Sequence, residues 1–321
     1  MASRSHSDGG SRFHDHIPPE LARTLFSASI VLSKKGLGGI RIAKELSLRH
    51  SLRVCPGTIN HWIYGEREPR IRNLFEVKPS PELSYIIGAN IGDGSNLAKS
   101  GCVKLEVSDL DFAETFNAKM AALFSRKRPN KVLKRVFASN RLPLFIVKYA
   151  SNQLAGVLGL PLKELLGLAF AYPGEFLRGL FDAEGHVDVT AGRDFSLAVG
   201  AENSDTYLLR AVKRLLRHTF GINPRIDRKR EAGTLKVIRG KSFIMRRTSF
   251  SLVIRRLGDA KRFAEHVGFS IRRKDEKLRD ALSITTTFPA RNRVVAWQRL
   301  YLKDRGEWVR RNPGVPESKD I

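Results

Sequence analysis

The sequence predicts an α+β protein, in which a small all-α domain precedes two copies of a mixed unit of helices and strands. The residues before 80 show the helical spacing of apolar side chains. In the rest of the chain, a similar order of segments occurs twice, roughly ninety residues apart. Within each copy, runs whose polarity alternates every second residue follow a helix-like opener. The 321 residues are 42% hydrophobic, which is enough apolar material for several cores.

The charge of the chain indicates a polyanionic partner. Lys and Arg number 57 against 32 Asp and Glu, a formal net charge of +25. Nucleic acid and an anionic membrane surface both fit such a balance. No apolar run reaches the roughly 18 to 20 residues of a membrane span, and the N-terminus lacks the apolar core of a signal peptide. We therefore expect a cytoplasmic, nucleoid-associated protein that binds nucleic acid and no membrane.

Composition and breaks in periodicity predict five segments. Two prolines in EVKPSPEL (76–83) mark the main linker. Two cysteines, Cys55 and Cys102, are too few for a disulfide framework or a zinc cluster. The segments are a disordered N-terminus (1–17), a helix-turn-helix-like domain with its linker (18–79), a first repeat (80–170), a second repeat (171–281) and a basic C-terminal helical tail (282–321).

The N-terminal domain contains two helical patterns in succession. RIAKELSL (41–48) places apolar residues on one face, and PGTINHWIYGEREP (56–69) begins with a proline that suits a helix start. This order resembles a helix-turn-helix, whose second helix lies in a major groove. A small helical packing domain is the alternative. The candidate DNA contacts are Thr58, Asn60, His61 and Arg67.

Each repeat reads as helix, two strands, helix, two strands, helix. The openers are LSYIIGANIGDGSN (83–96) and GEFLRGLFDAEGHV (174–187). The later strand runs are KVLKRVF and LPLFIVKYA in the first copy, and TLKVIRG and RTSFSLVIRR in the second. Small residues four positions apart would let the two opening helices pack closely across a pseudo-twofold axis. These positions are Gly88, Gly92, Gly179 and Ala183, and we expect Gly94 and Gly185 to follow as left-handed helix caps.

A carboxylate precedes the last glycine of each opener, Asp93 in the first and Glu184 in the second. The C-terminal end of a helix is an unfavourable place for an anion. If the two helices pack side by side, each carboxylate opposes ionisation of the other, and divalent cations would relieve the repulsion. Cations at such a site could also assist phosphodiester hydrolysis. The alternative is a pair of ordinary turns, which the shared repeat frame disfavours.

At these residues the sequence resembles the LAGLIDADG homing endonuclease family. LRGLFDAEG (177–185) fits the family signature, and IIGANIGDG (86–94) fits its Gly-Asp-Gly variant, although it carries the polar Asn90. The resemblance covers residues 80–281 and is to the single-chain, pseudosymmetric type. It implies an αββαββα fold in each half, with saddle-like sheets lying on DNA. It also implies that Asp93 and Glu184 are catalytic and bind Mg²⁺ or Mn²⁺.

Basic residues supply the other candidates. By the resemblance, Lys148 and Arg255 would be basic residues near the active centre at the end of each half's last strand, although an ordinary phosphate contact is as good an interpretation of Lys148. Residues 225–256 hold 11 basic side chains against two acids, and a sheet can lie in a major groove. A solvated edge strand protected by charge is the alternative. The candidate DNA contacts are Lys134, Arg135, Arg228, Lys229, Arg230, Lys236, Arg246 and Arg247.

These observations predict a site-specific double-strand DNA endonuclease. Because the two halves differ in sequence, we expect a monomer that reads a long non-palindromic site, one half per repeat. The resemblance implies an intron- or intein-linked homing role, and we expect a free-standing enzyme. Two alternatives are a non-cleaving transcription regulator built on the same core, and a maturase that binds intron RNA.

Overall fold

The computed structural model describes residues 19–66, 73–97, 101–136, 143–238, 241–304 and 306–311. The N-terminus expected to be disordered and the candidate DNA contact Arg67 lie outside these ranges. The described part begins with a three-helix domain made of α1 (Pro19–Lys34), α2 (Gly39–Arg49) and α3 (Pro56–Ile63). Its own small core is formed by Leu25, Ile42, Ala43, Leu46, Val54, Ile59 and Trp62. The two helical patterns predicted in this part of the sequence therefore both form helices, α2 and α3.

The remainder contains two units with the same order of elements. The first comprises α4 (Pro81–Gly92), β1 (Gly94–Leu97), β2 (Cys102–Val107), α5 (Leu110–Leu123), β3 (Leu133–Arg135), β4 (Leu144–Ala150) and α6 (Asn152–Leu158), and α7 (Leu162–Ala169) follows it. The second comprises α8 (Pro173–Glu184), β5 (Gly185–Ala191), β6 (Phe195–Asn203), α9 (Thr206–Phe220), β7 (Arg225–Arg230), β8 (Leu235–Ile238), β9 (Lys241–Ile244), β10 (Ser249–Ile254) and α10 (Leu257–His266).

Both sheets are antiparallel and share one topology. Their strand orders are β1-β2-β4-β3 and β5-β6-β10-β7. Helix α5 packs on β2 and β4, and α9 packs on β7 and β10. One face of each sheet is thus buried, and we call the opposite face the open face. The predicted α+β class and paired αββαββα arrangement are confirmed.

Local sequence signals begin and end these helices as expected. Ser80 caps α4 by accepting a hydrogen bond from the Leu83 amide at 3.1 Å, and Pro81 occupies the first turn. Asp205 caps α9 through the amides of the next turn. Gly221 ends α9 with φ of 63°, the left-handed conformation that glycine adopts without strain.

One predicted strand lies outside the sheet of its repeat. TLKVIRG contains a strand, β8, as predicted, but β8 pairs with β9 in a separate two-stranded hairpin. The strand beside β10 is instead the polar β7, where Ile226 lies opposite Leu252 on the buried face. Because one apolar side chain facing the core is enough for an edge strand, hydropathy favoured the wrong run. In the hairpin, Leu235 is 63% and Ile244 is 69% exposed.

The C-terminal segment, predicted to be a helical tail, ends in a strand pair. Helix α11 (Arg272–Thr287) begins inside the predicted second repeat and crosses the predicted boundary at residue 281. The tail continues with α12 (Ala290–Leu300), β11 (Tyr301–Asp304) and β12 (Glu307–Arg310). The indole of Trp297 is buried and stacks on Tyr301, with ring centroids 3.9 Å apart. Trp308 Nε1 donates to the Val189 carbonyl at 3.0 Å, which satisfies a carbonyl of the edge strand β5. In the ranges that the structure describes, no helix is long and apolar enough to span a membrane.

Candidate catalytic centre at the ends of two paired helices

The two opening helices, α4 and α8, pack against each other through glycines. A Cβ atom at Gly88 would overlap the Phe176 carbonyl oxygen and lie 2.8 Å from the Leu180 amide nitrogen. A Cβ atom at Gly179 would meet the backbone of α4 in the same way. Each glycine therefore admits the backbone of the other helix, and the contact is reciprocal about the pseudo-twofold axis.

Gly179 and Gly92 complete this interface. A Cβ atom at Gly179 would overlap the Tyr85 carbonyl oxygen and lie 3.0 Å from the Ala89 amide nitrogen. A Cβ atom at Gly92 would overlap the Ala183 methyl and lie 3.0 Å from Glu184 Cγ. The four small residues predicted to mediate packing lie at one interface, which brings the C-terminal ends of both helices together.

The expectation that Gly94 and Gly185 are left-handed caps is wrong. Gly185 is extended, with φ −84° and ψ 153°, and Gly94 has no positive φ. Each residue begins a strand that leaves the helix directly. A side chain is excluded by crowding instead, because a Cβ atom would lie 2.9 Å from the Phe181 carbonyl carbon at Gly185 and 2.8 Å from Asn90 Cγ at Gly94.

Asp93 and Glu184 stand at these paired helix ends. Asp93 is exposed, whereas Glu184 is half-buried and accepts a hydrogen bond from Asn203 Nδ2 at 3.3 Å. Burial raises the pKa of Asp93; the Lys274 charge opposes this and the Asp109 charge adds to it. Burial, then the negative charges of Asp93 and Glu202, raise the pKa of Glu184 to about 7. The predicted opposition of Asp93 to the ionisation of Glu184 is thus present, whereas the negative charge that raises the pKa of Asp93 is that of Asp109.

Two further titratable side chains, not singled out from the sequence, lie on the open face of the second sheet. Glu202 on β6 pairs with Lys229 Nζ at 3.1 Å. His186 on β5 lies over Gly200, where a Cβ atom would be 2.7 Å from the imidazole Nε2. Burial lowers the pKa of His186, and the Asp188 carboxylate opposes this shift. Counting alternate residues from Gly185 would have placed His186 on this face, but the pairing of β6 with β5 could not be read from the sequence.

A buried hydrogen-bond network joins both helices. Asp182 is 1% exposed, and its carboxylate accepts hydrogen bonds from Tyr85 Oη at 2.7 Å and from the Ser270 amide at 2.9 Å. Burial raises the pKa of Asp182, and the hydrogen bonds from Ser270 and Tyr85 oppose that shift. Lys274 Nζ donates to the Asp182 carbonyl at 2.7 Å and to the Phe181 carbonyl at 3.3 Å.

The start of α11 also reaches the first repeat. The Arg273 guanidinium binds Asp109 through two hydrogen bonds of 2.7 and 2.9 Å. The Arg272 amide donates to Asp111 of α5. Residues 270–274 therefore contact α4, α5 and α8, and we call this segment the bridging segment.

Tyr85→Phe is expected to lower the free energy of unfolding by about 1 to 3 kcal/mol, because Asp182 Oδ2 loses one of its two hydroxyl donors and keeps only that of Ser270. Tyr64→Phe is the matched control, since Tyr64 is 72% exposed. Urea unfolding of both variants checks the prediction. Equal stability of the two variants would show that the Tyr85 hydroxyl contributes nothing to the network.

The two basic candidates for the active centre are not equivalent by symmetry. Gly94 pairs with Leu105 and Gly185 pairs with Ala201, which superposes the registers of the two sheets. In that frame Lys148, opposite Lys104 on β4, corresponds to Val253, opposite Gly200 on β10. Arg255 lies two residues further along. Lys148 therefore lies on the open face of its sheet, and Arg255 follows the end of β10.

The remaining candidate DNA contacts in the described ranges lie on α3, on strands β3, β7 and β8, and just before β10. Thr58, Asn60 and His61 lie on α3, where Asn60 packs against Gly39 and His61 Nδ1 lies 2.5 Å from a Glu66 oxygen. Others lie on the strands and turns, namely Lys134 and Arg135 on β3, Arg228, Lys229 and Arg230 on β7, Lys236 on β8, and Arg246 and Arg247 just before β10.

An open groove of about 530 Å³ runs along the open face of the second sheet. Its floor includes His186, Ser251 and Val253. The β11–β12 hairpin forms one wall through Glu307 and Trp308. The C-terminal segment thus borders the same face as Glu202, which the sequence did not indicate.

A divalent cation fits the donors present at the helix ends. Within the described ranges, no group of three or more His, Cys, Asp or Glu side chains is arranged to hold a metal ion. Asp93 and Glu184 are the side chains that would hold the cation. Mg²⁺ suits such a site, because it commonly binds through one or two carboxylates and completes its shell with water and substrate phosphate oxygens.

The paired repeats and their motif helices define the class of this protein, and the chain belongs to the LAGLIDADG family. A family profile described as a LAGLIDADG-like domain matches residues 171–268, and the resemblance predicted from the two openers is confirmed. The uncharacterized protein MJ0398 of Methanocaldococcus jannaschii is 30% identical over 256 residues, which cover 78% of this chain and 90% of that protein.

Two solved structures share part of the fold of the chain. Full-length DUF199/WhiA from Thermatoga maritima has a TM-score of 0.42 and 17% identity, covering 71% of this chain and 68% of that one. The homing endonuclease I-DmoI in complex with DNA and Mn has a TM-score of 0.37 and 19% identity, covering 58% of this chain and 96% of that one.

Proposed function

We propose that this protein is a divalent-metal-dependent, site-specific DNA endonuclease. The observation that carries the proposal is the pair of carboxylates, Asp93 and Glu184, at the adjoining ends of α4 and α8. The pKa of the half-buried Glu184 is raised to about 7, so its ionised form is disfavoured, and a bound cation would stabilise that form. Both side chains belong to the family signature, and both acids that metal-assisted hydrolysis requires are present.

The proposed chemistry divides between the cation and the chain. A bound Mg²⁺ or Mn²⁺ would polarise the scissile phosphate and activate a water molecule. Asp93 and Glu184 would bind this cation next to the phosphodiester. Asn203 fixes one oxygen of Glu184 through the 3.3 Å hydrogen bond, which limits rotation of the carboxylate. One strand would be cut beside each acid.

Double-stranded DNA is the substrate that we propose, read by the open faces of the two sheets. In the first sheet, Lys104 and Lys148 lie directly opposite each other, and Lys104 also forms an ion pair with Glu106. The corresponding positions of the second sheet hold the uncharged Gly200 and Val253. Faces that differ in this way would read different half-sites, so the target would be long and non-palindromic, and a monomer would suffice.

Incubation with a library of duplex DNA and Mg²⁺, followed by sequencing of the ends, tests the activity. We expect cuts at one site in wild type and a loss of double-strand cleavage of about a thousandfold in Asp93→Asn and in Glu184→Gln. DNA binding should persist in both variants. Asp194→Asn, which changes an exposed carboxylate in the β5–β6 turn, is the matched control and should cleave like wild type.

The other outcomes identify the alternatives. Tight, sequence-specific DNA binding without cuts in Mg²⁺ or Mn²⁺ would contradict the endonuclease and favour a transcription regulator that uses the N-terminal three-helix domain. A preference for RNA, with intron splicing stimulated, would favour a maturase.

A further inference from the structure

Lys274 carries a positive charge into the interior, beneath the paired helix ends. Its side chain is among the buried ones at 8% exposure, and burial lowers its pKa to about 8. A buried ammonium is costly unless hydrogen bonds and opposite charges surround it. The groups around Lys274 therefore indicate what keeps the charge there.

The hydrogen bonds of Lys274 go to the last turn of α8. Its Nζ donates to the carbonyls of Phe181 and Asp182 at 3.3 and 2.7 Å. The last carbonyls of a helix lack partners within the helix, and a cation there also opposes the negative end of the helix dipole. Helix α8 has no basic residue of its own in its last turn. The bridging segment thus supplies from outside what the motif helix lacks.

Simple pairing with the Asp182 carboxylate does not account for Lys274. That carboxylate is already bonded by Tyr85 and Ser270, and Lys274 Nζ reaches only the Asp182 carbonyl. The two motif acids also feel the lysine charge, which opposes the rise in the pKa of Asp93 and of Glu184, as it does for Asp182. The buried ammonium therefore acts on these carboxylates from the protein side of the α8 end.

We propose that Lys274 is a positioning residue of the catalytic centre, whose buried ammonium fixes the last turn of α8 and holds Asp93 and Glu184 together before a metal ion binds. The inference rests on the proposed function only in taking these acids as the catalytic pair. It makes the bridging segment part of the site.

A double-mutant cycle in metal-free protein tests the charge coupling without any cleavage. Thermal unfolding is measured at about pH 7.5, between the pKa of Glu184 and that of Lys274, with a chelator present, for wild type, Lys274→Gln, Glu184→Gln and the double variant. Gln can still donate to the α8 carbonyls but carries no charge. We expect Lys274→Gln to lower Tm by about 2 to 4 °C more in the wild-type background than in the Glu184→Gln background. An equal loss in both backgrounds would overturn the proposal and leave a lysine that only supports the helix end.

Two further variants sharpen the cycle. Lys277→Gln changes a half-buried lysine one turn further along α11, and it should show no coupling to Glu184. Lys274→Arg keeps the charge and should restore the coupling that Lys274→Gln removes. Lys274→Gln could fold only when Glu184→Gln is also present, and such a rescue would be coupling in the expected direction. Failure to fold in both backgrounds, with Lys274→Arg also uncoupled, would contradict the proposal.

Cleavage is read separately. In an active protein we expect Lys274→Gln to lower kcat with little change in the Kd for DNA, because the lysine lies behind the acids and away from the open faces. Absence of cleavage in wild type would contradict the endonuclease and leave the metal-free cycle to decide on Lys274. A loss of DNA affinity with unchanged kcat would contradict the positioning role.

Discussion

Gly179→Ala is expected to destabilise the protein by about 3 kcal/mol or more, which corresponds to a fall in Tm on the order of 10 °C. The added methyl would overlap the Tyr85 carbonyl oxygen and lie 3.0 Å from the Ala89 nitrogen. Both are backbone atoms of α4, so neither can rotate away and the helices must move apart. Gly88→Ala should behave alike, because its methyl would overlap the Phe176 carbonyl oxygen.

Gly167→Ala is the matched control for both variants. Gly167 lies in α7, and nothing lies within 4 Å of the Cβ that would be added. Alanine there should stabilise the protein by about 0.5 to 1 kcal/mol, since glycine within a helix gives up more conformational freedom on folding. Circular dichroism during heating distinguishes the signs. Stabilisation by Gly179→Ala would show that the two motif helices do not approach as described.

Glu184→Gln is expected to abolish cleavage and, at the same time, to stabilise the metal-free protein above neutral pH. The pKa of Glu184 is raised from 4.5 to about 7, so between these values the folded state binds more protons than the unfolded state. Stability therefore falls as the pH rises through that window, and the whole deficit, at most about 3 kcal/mol, is present above it. Gln has no proton to lose, so the variant should lack this fall.

Unfolding measured from about pH 5 to 8 in chelator checks the sign. Added Mg²⁺ should reverse the order, because it stabilises wild type by binding the folded state and finds one carboxylate fewer in the variant. Glu114→Gln, an exposed change on α5, should follow the wild-type pH profile. A wild type that becomes more stable from pH 5 to 8 relative to Glu184→Gln would contradict the raised pKa.

The sequence predicted those features whose cause lies within a few neighbouring residues. The openers, the small residues at helical spacing and the carboxylates before the last glycines are visible in two short runs, and the repeat shows that they recur. The different positions of Lys148 and Arg255 in their sheets could not be seen from the sequence, because they depend on strand register. A shift of two residues in a β-strand leaves the pattern of alternation unchanged, so only the pairing of β4 with β2 and of β10 with β6 distinguishes the alignments.

Features formed across long sequence separations could not be predicted. Lys274 contacts residues more than ninety positions earlier in the chain, and its segment reads like the polar start of any helix. Glu202 lies beside Glu184 because β6 pairs with β5. The left-handed caps were wrong for a related reason. A glycine after a helix can be required by a left-handed backbone or by lack of room for a side chain. At Gly185 the second reason applies, because a Cβ atom would be crowded by Phe181.

The bridging segment has a consequence for the construction of chimaeras. A natural place to exchange halves between relatives is the junction between α7 and α8, which keeps each sheet intact. Such an exchange would separate Arg273 from its partner Asp109 and Ser270 from Tyr85, although no residue at the junction itself had changed. The unit that must be exchanged as a whole is therefore larger than one repeat. A recombined protein would need its first half and its bridging segment to come from the same relative.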